Sequence, residues 1–133
     1  MAINTIQKGN MGENIACKYL VNKGYFVLER NYRKKWGEID IITTKDNIIH
    51  FIEVKSVVVK DVSDFDIHRP EDNVNSLKIR HIRKMVQTYF YEKALNHDNS
   101  FAFHVICVYF NSVTRKVKVN MIGYSIIGAW CNG

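Results

Sequence analysis

Asp40, Glu53 and Lys55 are ionisable residues set inside apolar, β-branched runs. The first run is Glu38-Ile39-Asp40-Ile41-Ile42-Thr43; the second extends from Ile48 to Ser56. Both read as strands. Side chains two apart on a strand share a face. Glu53 and Lys55 therefore point one way, Ile52 and Val54 the other. Lys45-Asp46-Asn47 between the runs reads as a turn, because Asp and Asn tolerate the left-handed backbone of a tight hairpin. With Asp46 and Asn47 as the two loop residues, Asp40 is expected opposite Glu53, and Glu38 opposite Lys55. Cβ atoms of directly opposed residues lie ~4.5–5.5 Å apart. Two carboxylates at that distance repel, and a divalent cation between them reverses the sign. Such a pair, with an amine at the next same-face position, suits phosphodiester hydrolysis. The carboxylates would hold Mg²⁺ (or Mn²⁺) against a phosphate oxygen, and the ammonium would stabilise charge developing on phosphorus. The same residues also read as a solvated strand face, with Asp40 a turn or capping carboxylate.

The remaining pattern supplies a scaffold for that hairpin. Residues 9 to 24 read as a helix, with Met11, Ile15, Ala16, Tyr19 and Leu20 at helical spacing and Gly24 as a stop. Tyr25 to Leu28 is a short apolar run expected to be a strand, followed by a basic stretch. Leu77 to about Leu95 reads as a long helix after a Ser76 cap, with Ile82, Met85, Val86, Tyr89 and Phe90 in one stripe. Phe101 to Phe110 and Arg115 to Ile122 read as two strands joined by an Asn111-Ser112 turn. The order is helix, three strands, helix, two strands, which predicts an α/β domain with a mostly sequential sheet.

At 133 residues, 47% apolar and 24% charged, the chain is expected to form one soluble domain over 1–133. No run of ~18 apolar residues is present, so no membrane span is expected; nor does the N-terminal region resemble a secretory leader. Cys17, Cys107 and Cys131 are odd in number and far apart. They predict reduced thiols in a cytoplasmic protein, with Cys17 and Cys107 in the core. Lys and Arg number 19 against 13 Asp and Glu, a net charge of +6. That excess makes a polyanion the first partner to consider, nucleic acid or an anionic membrane face. The segment 57–75 is the exception: Asp61, Asp64, Asp66, Glu71 and Asp72 face only Lys60 and Arg69, and it reads as a strand end running into an acidic loop. A basic body around a small acidic cluster favours a phosphodiester over a membrane.

Arg30, Arg33, Lys34 and Lys35, with Tyr32 and Trp36 interleaved, could hold a phosphate backbone and stack a base, or form a solvated basic loop over core aromatics. Lys78, Arg80, Arg83 and Lys84 on the second helix could track a backbone or form an ordinary outer face. Gln87 and Tyr91, four apart, read as helix surface. His50, His68, His81, His97 and His104 lack metal-ligand spacing.

Gly12-Glu13-Asn14-Ile15-Ala16, Gly24-Tyr25, Arg30-Asn31-Tyr32-Arg33, Gly37-Glu38-Ile39-Asp40-Ile41-Ile42 and Phe51-Ile52-Glu53-Val54-Lys55 together resemble the YraN-like bacterial family. That family is similar in motif order to the restriction-endonuclease-like, PD-(D/E)xK nucleases and to archaeal Holliday-junction resolvases. The resemblance is dense over 9–56 and loose after about 100. It implies a mixed sheet of about five strands flanked by helices, with Asp40, Glu53 and Glu13 as a metal cluster and Lys55 as catalytic amine. From the residues alone, Glu13 is a helix first-turn carboxylate, which the macrodipole favours. Two places depart from the family pattern: His104 follows Phe103, and Ser56-Val57 follow Lys55. The expected function is a Mg²⁺-dependent endonuclease acting on DNA, with Arg30, Arg33, Lys34, Lys35 and Lys78 on phosphates. A resolvase-like role would favour a symmetric homodimer. The alternative is a non-catalytic nucleic-acid-binding or protein-interaction module on the same scaffold.

Overall fold

The computed structural model describes residues 5–60, 76–95 and 100–124. Most of the expected acidic loop and Cys131 lie outside them. The elements are α1 (Thr5–Asn22), β1 (Phe26–Lys34), β2 (Gly37–Lys45), β3 (Ile48–Val59), α2 (Ser76–Glu92), β4 (Ser100–Asn111) and β5 (Val117–Tyr124). The five strands form one open mixed sheet in chain order. β3 and β4 run parallel; every other neighbouring pair is antiparallel. A parallel pair needs a long connection, and α2 lies within it. This is the mixed α/β architecture expected. Among the described residues no helix is long and apolar enough to cross a membrane.

The strand period of two gives the sheet two buried faces. Ile49, Phe51 and Val59 of β3 pack with Phe101, Phe103, Val105 and Cys107 of β4 against α2. The α2 stripe is Ile82, Met85, Val86, Tyr89 and Phe90, all buried as expected. Phe51 anchors this side, with the rings of Tyr89, Phe90 and Phe101 around it. On the other face Ile41, Ile52, Ile106 and Val108 pack against Ala16 and Leu20 of α1.

Helix α1 packs through Ile15, Ala16, Tyr19 and Leu20 as expected, and differs from expectation at Met11. Met11 is exposed, whereas Gly12, Ala16 and Leu20 are buried. A Cβ at position 12 would lie 1.9 Å from Ser56 Oγ and 3.3 Å from Ser56 Cβ. The bare glycine thus brings α1 down onto β3, and Glu13 with it. The helix ends at Gly24 (φ +92), whose left-handed turn lets the Tyr25 amide bond to Leu20 O at 3.0 Å.

Strand β1 is longer than expected. It continues through the basic stretch to Lys34, because Arg30, Tyr32, Arg33 and Lys34 pair with Ile41, Ile39, Glu38 and Gly37. Backbone pairing overrides the loop-like composition, and charged side chains suit an edge strand. The β2–β3 turn is as expected: Asp46 (φ 54) and Asn47 (φ 64) are both left-handed. The register is also as expected from Lys45↔Ile48 to Ile41↔Ile52.

Gly12→Val should therefore destabilise the fold by about 1–2 kcal/mol through overpacking against Ser56. Gly9→Val, where nothing lies within 4 Å of an added Cβ, should not. Urea unfolding of the two variants checks this; equal midpoints would remove the close-approach role of Gly12.

Candidate functional site

The β2–β3 ladder stops at Ile41↔Ile52, one residue short of Asp40. The Val54 amide, which faces β2, donates to Asp40 Oδ2 at 2.7 Å. A side chain has taken the place of a backbone partner. Asp40 and Glu53 remain neighbours, both lining one cleft, although they are not rungs of the ladder. Glu38 is not opposite Lys55, as the extended register predicted. It lies on the β1 side, where its carboxylate accepts from Arg33 Nε at 3.0 Å.

Asp40 is an uncomfortable carboxylate. Burial raises its pKa, the Val54 amide opposes that, and the charges of Glu13, Glu38 and Glu53 add to the rise, leaving it at about 6. Glu53 is divided between two environments. Its Oε1 takes Lys78 Nζ at 2.5 Å and Lys55 Nζ at 3.4 Å. Its Oε2 is buried without a hydrogen-bond partner among the described residues. Asp40, Glu53 and Lys78 line a cleft of about 240 Å³ between β2, β3 and α2, with Glu38 also in its lining and Lys55 outside it. Trp36, Ile39, Ile82, Met85 and Phe103 form its apolar lining.

The other residues expected at the site are distributed around it. Glu13 pairs with Arg30 at 3.5 Å and acts on Asp40 through its charge. Lys34 pairs with Glu92 at the end of α2. Lys35 is exposed in the β1–β2 turn. Lys78, expected on a backbone phosphate, instead reaches Glu53. His81 also lines the cleft, which sequence reasoning missed. The available signal was its place three residues after Lys78, hence on the same helix face.

The two departures from the family pattern lie away from the carboxylates. His104 is on the α1 side of β4, with Nε2 2.8 Å from His50 Nδ1 and the rings stacked. Burial and the neighbouring His50 hold His104 down at about 4, so the pair is neutral near pH 7. Ser56 is the small residue that receives Gly12, and Val57 packs against the α2-side core.

Among the described residues no three Asp, Glu, His or Cys groups converge on one point as they stand. Mg²⁺ does not require three: one or two carboxylates suffice when waters and phosphate oxygens complete the shell. The partnerless Glu53 Oε2 and the charge-crowded Asp40 have the chemistry such an ion satisfies.

Residues 12–108 match the model of the family described as "Uncharacterised protein family UPF0102". A UPF0102 protein of Clostridium botulinum is 39% identical over 114 residues, covering 86% of this chain and 89% of the relative. One from Campylobacter lari is 39% identical over 109 residues, covering 82% and 89%. One from Campylobacter fetus is 42% identical over 105 residues, covering 79% and 86%.

An acid whose folded pKa is raised holds its proton in the folded state after the unfolded chain has lost it. Stability from Asp40 therefore falls as pH rises from about 4 to about 6, and the full penalty stands above that. Asp40→Asn keeps an acceptor for Val54 and removes the charge. It should raise Tm by several degrees at pH 8 and hardly at all at pH 4. A thermal melt of both proteins at the two pH values tests this, and a lower Tm at pH 8 for the variant would contradict the crowding.

Proposed function

We propose that this chain, which belongs to the UPF0102 family, is a metal-dependent endonuclease hydrolysing DNA phosphodiester bonds in the Asp40–Glu53 cleft. The observation that carries the reading is Glu53, one oxygen partnerless and the other held by two lysines beside a crowded Asp40. A structural ion pair has no need of a second, orphaned oxygen, whose burial costs free energy.

In this reading Asp40 and Glu53 hold Mg²⁺ or Mn²⁺, and Glu13 adds the third negative charge behind Asp40. When bound, such an ion supplies Lewis-acid stabilisation at phosphorus and a more acidic water. The Val54 amide fixes the Asp40 carboxylate, so its free oxygen is aimed without a rotamer search. Lys55 stands 3.4 Å from Glu53, close enough to stabilise charge developing on a phosphate held there. Lys78 pairs with Glu53 at the same oxygen and can exchange that partner for a phosphate oxygen. Asp40 must be ionised to take part.

The Lys78–Glu53 pair also favours a second reading, a non-catalytic scaffold in which the lysine permanently satisfies the glutamate. That protein would bind nucleic acid and cut nothing.

Cleavage of labelled branched, single-stranded and duplex DNA in Mg²⁺ or Mn²⁺ separates the two. The nuclease reading expects cutting that rises with pH through about 6 as Asp40 ionises. It expects a loss of about 10²-fold or more in Asp40→Ala, Glu53→Ala and Lys55→Ala. Cutting that survives Asp40→Ala and Lys55→Ala would falsify the assignment.

A further inference from the structure

The metal-side chemistry leaves half of the cleft unexplained. Asp40, Glu53 and Lys78 account for a phosphate, but the same cleft is also lined by Trp36, Ile39, Ile82, Met85 and Phe103. The last four are almost fully buried, so the apolar surface left accessible there is that of the indole. At the rim lies Trp36, 47% exposed, on the two-residue turn between β1 and β2. Its indole is held in place. Nε1 donates to Thr88 Oγ1 at 3.2 Å, and that hydroxyl donates to Lys84 O at 2.9 Å. The Lys84 ammonium lies 5.6 Å from the ring centroid.

An indole anchored by its edge, with Lys84 over one side of the ring and nearly half of its surface exposed, is a stacking platform. Gly37, the next residue, packs directly on Met85: an added Cβ would lie 3.1 Å from Sδ and 3.2 Å from Cγ. The cleft volume of about 240 Å³ equals the liquid share of roughly eight waters, room enough for one nucleobase.

In a duplex the faces of the bases are already stacked, and only base edges and the backbone are offered. The indole would then have no bare base face to stack on. An unpaired nucleotide offers both a phosphate and a bare aromatic face. We infer that the Trp36 cleft receives one unstacked base of single-stranded DNA, so that the substrate class is unpaired DNA rather than continuous duplex. This rests on the phosphodiester reading above, with the phosphate of that nucleotide at Asp40 and Glu53. Arg33, which pairs with Glu38, and Lys35 flank the turn and meet the adjoining phosphates.

The test is binding without cleavage, by fluorescence anisotropy in Ca²⁺ at one fixed salt concentration. The probes are a fluorescein-labelled oligothymidylate, the same strand with one central abasic site, and a duplex of equal length. Wild type should bind the single strand at least about tenfold more tightly than the duplex. Trp36→Ala should cost the single strand about tenfold and the duplex less than twofold, with Trp36→Phe restoring most of the loss. The abasic site should shrink the Trp36→Ala effect when it occupies the cleft. Equal binding of single strand and duplex by the wild type overturns the inference, as does an equal loss for both probes in Trp36→Ala. A stacking signature in a protein that cuts no probe in Mg²⁺ or Mn²⁺ keeps the base site and removes the chemistry. Cutting with no stacking signature does the reverse.

Discussion

One hydrogen bond, from the Val54 amide to Asp40 Oδ2, determines how the centre of this molecule is organised. Had the β2–β3 ladder continued, that amide would have met backbone, and the two strands would have closed over the space beneath α2. The side chain intercepts it, the ladder ends at Ile41↔Ile52, and the cleft begins at that point. The bond also has an electrostatic role. It lowers the pKa of Asp40 against burial and three nearby carboxylates, and the balance still leaves the group at about 6. Keeping that carboxylate ionised at neutral pH costs on the order of 2–3 kcal/mol. A protein optimised only for stability would place an apolar or amide side chain there.

The sheet separates this tension from the rest of the fold. On the α1 face His50 and His104 share a hydrogen bond and Lys45 donates to Lys23 O at 2.8 Å, while His104 Nδ1 is without a partner among the described residues. On the α2 face the cluster around Phe51 is packed and largely apolar, with Tyr32, Tyr89 and Tyr109 among its members. At the cleft the orphaned Oε2 of Glu53 comes together with a charge-crowded Asp40, a combination that the other partnerless buried atoms among the described residues, on Glu29, Tyr32, Thr43 and His104, do not share. Local conflict within an otherwise consistent structure is where function is expected to reside.

Features governed by local periodicity were legible in the sequence. The five-residue stripe of α2, the left-handed Asp46-Asn47 turn and the hairpin register all follow from spacing and turn chemistry. Features governed by tertiary partners were not. Gly12 carries no hydrophobic signal, yet it sets the approach of α1 because of Ser56, 44 positions away in the chain. The basic composition of residues 30–34 argues for a loop, and pairing with β2 makes it strand. The register arithmetic was right for backbone and failed at Asp40 and Glu38, because it cannot anticipate a carboxylate that outcompetes a carbonyl. His81 reaches the cleft through the packing of α2, which no spacing within the hairpin encodes.

The net charge of +6 takes on a different meaning once the pairs are known. The cations nearest the cleft are engaged with carboxylates: Arg30 with Glu13, Arg33 with Glu38, Lys55 and Lys78 with Glu53. A free basic patch would attract any polyanion indiscriminately. Internally paired charges instead need an exchange. On the proposed function, a dication on the carboxylates would release the cations and a phosphate diester would take them up, so that each would remove the cost of admitting the other. On the proposed reading, metal and DNA are thus linked partners. Each should bind less tightly alone, because either one by itself leaves like charges close together.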